Sequence, residues 1–176
     1  MSTENQIEGA SYSEQILECA RRNNTELLKE IIHSLDSDHA KLANLINETK
    51  EVITNNSPLH IATSLGNWEF IDMVLDVEGV EIDPLNREGD SPLHLAVKYA
   101  SNEPEYGYFI IDNLLDAGSD PTVVDKHGLK PVNYVKQDEK LRNLLESAEY
   151  AATAQADLEA NEEVEDDDEG SASESD

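Results

Sequence analysis

The chain has 176 residues, 38% of them apolar, which suffices for one medium-sized domain with a single core. Its 39 Asp and Glu against 12 Lys and Arg give a formal charge of −27. A field of that sign repels phosphate backbones and anionic lipid, so it argues against nucleic acid and membrane as partners; it either steers basic proteins inward or serves only to keep the chain in solution, and for the C-terminal tail steering is favoured.

Cys19 is the single cysteine, which excludes an intramolecular disulfide and a cysteine zinc cluster. It sits in an apolar helical stretch and reads as a small buried hydrophobe. The N-terminal stretch lacks the basic and apolar blocks of a signal peptide, and no apolar run approaches the ~20 residues that span a bilayer. The expected location is the cytoplasm, with the nucleus as a second compartment.

Residues 1–11 are polar and unpatterned and read as a flexible N-terminus. Ser13 is placed to cap a helix over Glu14 to Arg22, with Ile16, Leu17, Cys19 and Ala20 apolar. Asn23-Asn24 breaks it. Thr25 then caps a second helix whose apolar residues are Leu27, Leu28, Ile31, Ile32 and Leu35. Residues 36–55 are long for a turn, and Leu42, Leu45 and Ile46 predict an extra helical turn or two within them.

The next segment is written twice. Asn56-Ser57-Pro58-Leu59-His60-Ile61-Ala62 returns 34 residues later as Asp90-Ser91-Pro92-Leu93-His94-Leu95-Ala96. Pro58 and Pro92 suit the first turn of a helix, where a missing N–H costs nothing, and Ser57 and Ser91 precede them as N-caps. Gly66 ends the first of these helices with a left-handed residue, and Trp68, Phe70, Ile71, Val74 and Leu75 supply a second.

After the second copy the pattern loosens. Ser101 to Gly107 separates its two helices as an insertion, and Pro131 follows Pro92 by 39 residues, about six more than a 33-residue period. Gly79 and Gly89 are 10 apart, as are Gly118 and Gly128, so the connecting fingers have equal length. A fourth unit, Leu129 to Ser147, keeps only Pro131 of the box, with Leu141, Leu144 and Leu145 in its second helix.

From 148 to 176 the composition changes. The run from Ala151 to Ala160 is Ala-rich and suits a helical extension. Asn161 to Asp176 hold nine acids and one large apolar residue, Val164. That cannot offset ~1–2 kcal/mol of backbone entropy per residue, so a disordered acidic tail is expected. Of all the acids, 13 follow Arg142; the part up to Arg142 carries 26 acids and 12 bases, or −14. The folded part is therefore acidic in its own right, and the tail roughly doubles the field.

A Ser-Pro-Leu-His-x-Ala box at this period resembles the ankyrin repeat. The resemblance implies an all-α solenoid of about four repeats over residues 12–147, with short finger loops and terminal units that turn a polar face to water. In that family the box histidine holds neighbouring loops together, so His60 and His94 are read as structural. Neither has a second ligand at i+3 or i+4, and no HExxH is present.

The resemblance further implies a concave groove made by finger tips and the exposed side of the inner helices. Its register places Arg87, Glu88 and Asp90 on one finger and Lys126, His127 and Leu129 on the next. Ser64, Leu65, Lys98 and Tyr99 take the inner-helix places. Trp68 reads as packing between repeats. Tyr106 and Tyr108 stand in or beside the insertion, which is either a bulge or a contact loop.

No catalytic constellation, metal site or cofactor motif is legible: there is no nucleophile elbow, phosphate loop or Cys–His pairing. The expected function is non-catalytic protein binding by a monomer that escorts or adapts a basic client. The domain plan is similar to that of small yeast ankyrin proteins that escort newly made ribosomal proteins. The alternative is a regulatory subunit docking on a folded enzyme. Ser171 and Ser173 each have an acid three residues on, Glu174 and Asp176, which suits phosphorylation by an acid-directed kinase.

Overall fold

A computed structural model describes residues 9–171, with side chains as far as residue 162. Helix α1, Tyr12–Arg22, starts at Ser11 and not at the expected Ser13. The Ser11 hydroxyl accepts from the Glu14 N–H while the Glu14 carboxylate accepts from the Ser11 N–H. This reciprocal pair needs an acid three residues after the cap, and Ser13 has Ile16 there. Asn23, at φ 53°, ends α1. Asn24, not Thr25, caps α2 (Thr25–Ser34) by accepting from the Leu27 N–H. Of the expected flexible N-terminus, residues 1–8 lie outside the described residues.

The extra turns expected in the first connection form α3, His39–Glu48, capped by Asp38. Its Asn47 donates to the Gly79 carbonyl at 2.9 Å and accepts from the Glu81 N–H at 2.8 Å. The helix thereby fastens the next finger.

The two written-out boxes form α4 (Pro58–Leu65) and α6 (Pro92–Ala100), each with a serine N-cap and proline in its first turn. Their outer partners are α5 (Trp68–Leu75) and α7 (Pro104–Asp116). The insertion is not a loop. Only Ser101 to Glu103 remain as a turn, and the rest lengthens α7 to 13 residues against 8 in α5. Pro104 permits this because the first turn of a helix has no N–H to satisfy. Gly107 lets the lengthened helix close on α6: a Cβ there would stand 2.4 Å from the Ala100 Cβ.

Helices α1, α4 and α6 and a 3-10 turn, Pro131–Tyr134, stack in a row, and α2, α5 and α7 pack against their own inner partners. The core runs unbroken along this row through Ile16, Leu59, Leu93 and Ile110 to Leu145, all fully buried. Cys19 is buried as expected, and burial pushes its thiol up to about 11. The described residues form no strand, and the architecture is an all-α solenoid.

The last helix, α8, runs Glu139–Ser171 without a break at 147. The helical extension expected over Ala151 to Ala160 lies within it, and the helix continues into the acidic stretch as far as Ser171. Local propensity is the reason: Ala148, Ala151, Ala152, Ala154 and Ala156 are the strongest helix formers, and Lys130 Nζ anchors Glu149 at 3.0 Å. From Gln155 to Glu162 every side chain is exposed, so this stretch packs on nothing. Ser173 lies outside the described residues, and of Ser171 only the backbone is described. No helix among the described residues is long and apolar enough to cross a membrane.

Candidate protein-binding surface

The fingers line up because their backbones bond to one another. The Arg87 N–H donates to the Thr54 carbonyl at 2.9 Å, and the Lys126 N–H donates to the Glu88 carbonyl at 2.9 Å. This brings the sequence-predicted Arg87, Glu88, Lys126 and His127 into one exposed row. Glu88 stands 3.9 Å from Lys126 Nζ and 3.8 Å from His127 Nε2, and Arg87 donates to the Val52 carbonyl at 3.3 Å. Exposed pairs of this kind contribute little to stability and remain free to exchange for a partner.

At the open end of the row stand Val52, 91% exposed, and Ile53, 78% exposed. Sequence reasoning missed both. The signal was a Val-Ile pair in a polar connection, and it became readable only once the fingers were aligned. On the inner helices Ser64 and Leu65 are exposed as expected.

Four expected groove residues are placed differently. Asp90 is 3% exposed, with its carboxylate 2.7 Å from Lys98 Nζ, so neither it nor its paired lysine projects freely. The finger backbone turns Asp90 toward α6, where Lys98 stands two helical turns on. Tyr99 is half-buried, and its ring lies over Gly66, where a Cβ would be 2.4 Å away. It therefore faces the turn joining α4 to α5. Leu129 is half-buried because its N–H and carbonyl serve Asp125 and His94.

His60 and His94 bond as the box requires. Nδ1 of each accepts from the N–H of Ser57 or Ser91, and Nε2 bonds the carbonyl of Asp90 at 2.7 Å or of Leu129 at 3.0 Å. Each ring thus ties its own helix start to the following finger. Burial takes the His60 imidazole down to about 4, so it stays neutral at physiological pH.

Asp90, His94 and Asp125 bring potential metal-donor atoms within 4.8 Å of one another, all buried. Most of these donors are already committed; of them only Asp90 Oδ1 is buried without a hydrogen-bond partner among the described residues. Both nitrogens of His94 are bonded, Lys98 holds Asp90, and Asp125 accepts from the N–H groups of His127 and Leu129 and from the Tyr134 hydroxyl. Lys98 Nζ also lies 4.4 Å from the Tyr134 ring centre, so an ammonium supplies the cation that the acids need. Burial alone would raise the Asp125 carboxyl, but these hydrogen bonds outweigh it and hold the group near 2. The same bond to Asp125, with burial second, pushes the Tyr134 phenol up to about 12. The cluster joins the third repeat to the fourth unit, and its chemistry is structural.

The comparisons with known proteins agree with this geometry. A family model described as ankyrin repeats, in three copies, matches residues 16–125. The chain is 49% identical over 148 residues to ankyrin repeat-containing protein YGL242C of Saccharomyces cerevisiae, covering 82% of this chain and 81% of that protein. A transient receptor potential cation channel subfamily A member 1 homolog of Caenorhabditis elegans is 38% identical over 60 residues, 34% of this chain and 4% of the channel. Three matched repeats, the stacked helix pairs and the two histidine clamps lead to one conclusion: the chain belongs to the ankyrin-repeat family, whose repeats are protein–protein interaction modules.

Proposed function

We propose that this chain is a non-catalytic escort or adaptor that holds a basic protein client. The observation that supports the reading is the exposed finger row on a chain of charge −27. A row of backbone-aligned tips offers a wide, pre-organised surface, and the acid excess steers a basic partner onto it. The acidic stretch of α8 and the residues beyond it extend that field. The protein acts as a monomer in the cytoplasm and, with its client, in the nucleus. Phosphorylation of Ser171 and Ser173 by an acid-directed kinase adds roughly −1.5 to −2 charge at each and strengthens the pull on the client; mass spectrometry of the native protein tests it.

Affinity capture from the native cell at low and high salt tests the main reading. The expected partner is basic and elutes as salt rises. Capture of a folded, non-basic enzyme that persists in high salt overturns the escort reading in favour of a regulatory subunit.

A further inference from the structure

Away from the finger tips, at the edge where inner helices turn into outer ones, four aromatic rings meet. Trp68 begins α5, Tyr99 ends α6, and Tyr106 and Phe109 lie on the first turns of α7. The Trp68 and Phe109 ring centres are 4.7 Å apart at 72°, edge to face. Phe109 stacks on Tyr106 at 6.0 Å and 25°, and Tyr106 meets Tyr99 at 6.5 Å and 68°. The row is continuous, yet Phe109 is 40% exposed and Tyr106 39%. It exists because the third repeat spends its extra residues on α7; an outer helix as short as α5 would begin too late to carry Tyr106.

The surroundings of the row are acidic. Glu103 acts on the Tyr99 ring and Glu69 on Tyr106, both carboxylates raising the phenols after the effect of burial. Glu103 and Glu105 are exposed beside the rings, and Glu69 is held in place by Asn23 Nδ2 at 2.5 Å. Elsewhere two half-buried rings carry the fold's own cations: Lys98 lies over Tyr134 at 4.4 Å and Lys140 over Tyr108 at 4.2 Å. Among the described residues no cation lies over Trp68, Tyr106 or Phe109. Electron-rich ring faces edged by carboxylates complement a guanidinium, which stacks flat on an aromatic face and pairs with an acid at its edge.

We propose that this ring row is a second docking surface, and that its occupant is an arginine-bearing extended segment of a basic protein. The inference rests on the reading that the client is basic, and it adds where the client's arginines are taken. The finger row holds one part of the partner. The ring row takes arginine side chains by stacking on the exposed faces of Phe109 and Tyr106, with Glu69 and Glu103 at the rim.

The test uses the full chain and three probe peptides: an Arg-Gly repeat, a Lys-Gly repeat of equal charge, and a neutral Gln-Gly control. Trp68 is the only tryptophan, so its fluorescence and its indole N–H resonance report this surface alone. The expected result is saturable change at Trp68 with the Arg peptide and weaker binding of the Lys peptide. Phe109→Leu and Tyr106→Ala should each weaken the Arg peptide roughly five- to tenfold. Tyr106→Phe, which keeps the ring, should restore binding close to that of the parent. Glu69→Gln, a surface change that leaves the rings alone, provides a variant that folds and should weaken binding about twofold to threefold. Arg and Lys peptides that bind equally and independently of the ring and Glu69 variants overturn the ring-row proposal and leave the basic-client reading standing. Failure of both cationic peptides to bind anywhere on the protein overturns both.

Discussion

In the second and third repeats the box histidine bonds in two directions. Its Nδ1 closes the start of its own helix, and its Nε2 reaches the next finger, at the Asp90 carbonyl from His60 and the Leu129 carbonyl from His94. In the fourth unit Asn133 holds the corresponding place. Its Oδ1 accepts from the Lys130 N–H at 2.8 Å, its side chain is exposed, and the inner helix shrinks to the 3-10 turn Pro131–Tyr134. The difference separates two tasks that the histidine does at once. Capping needs only an acceptor three residues on, which an amide provides. Clamping the next repeat needs a longer side chain with a second polar atom. The fourth unit, followed by α8 among the described residues, keeps the cap and omits the clamp. It is fastened from behind instead, by Tyr134 bonding Asp125 and by Lys98 over the Tyr134 ring.

The largest effect is expected in the core. Leu93 is fully buried between repeats, so Leu93→Ala should lower stability by about 2–5 kcal/mol in urea denaturation. Val132→Ala, in the terminal unit, should cost about 1–2 kcal/mol. Equal losses would show the end of the solenoid to be packed as tightly as its middle.

Acid should act on the clamped repeats. The folded His60 imidazole titrates near 4 and the ordinary value is 6.5, so the unfolded chain takes the proton first. Its contribution, about 3 kcal/mol, is full above pH 6.5 and is lost as pH falls toward 4. Denaturation midpoints across that range should fall, while the imidazole resonances of folded His60 stay neutral until about 4. A midpoint that is flat between those values would mean that the ring is not held neutral by burial.

The clamp itself is sharpened by a matched pair of substitutions. His94→Ala strands the Ser91 N–H and the Leu129 carbonyl and should cost about 2–3 kcal/mol. Asn133→Ala should cost about 0.5–1 kcal/mol, because only an exposed cap is lost. If thermal unfolding gives similar losses for the two, the forward bond is not what distinguishes the repeats.

The smallest effect is expected where the fourth unit is fastened. Tyr134→Phe removes one hydrogen bond and should cost about 1 kcal/mol. It should also let the Asp125 carboxyl rise from about 2, which carboxylate NMR titration reads directly. An unmoved Asp125 would assign its low value to the two backbone N–H donors alone.

Much of this protein was determined by residues close together in the chain. The helices of the Ser-Pro-Leu-His boxes and the extra helix in the first connection followed from local chemistry: caps, a proline's missing N–H and apolar period; the structural role of both histidines was implied by the family resemblance. Where two residues could perform the same local task, as at Ser11 and Ser13, the choice turned on a carboxylate three residues away. The surfaces for a partner were decided by tertiary structure. Asp90 looked exposed until the chain returned as Lys98 to pair it, and Tyr99 looked like a groove residue until its ring settled over Gly66. Trp68 and Phe109 stand 41 positions apart in the sequence, and their contact depends on how far α7 extends beyond α5. Repeat periodicity states which residues lie on an inner helix, but direction and burial depend on the neighbouring repeat, because each repeat covers its core only by stacking on the next.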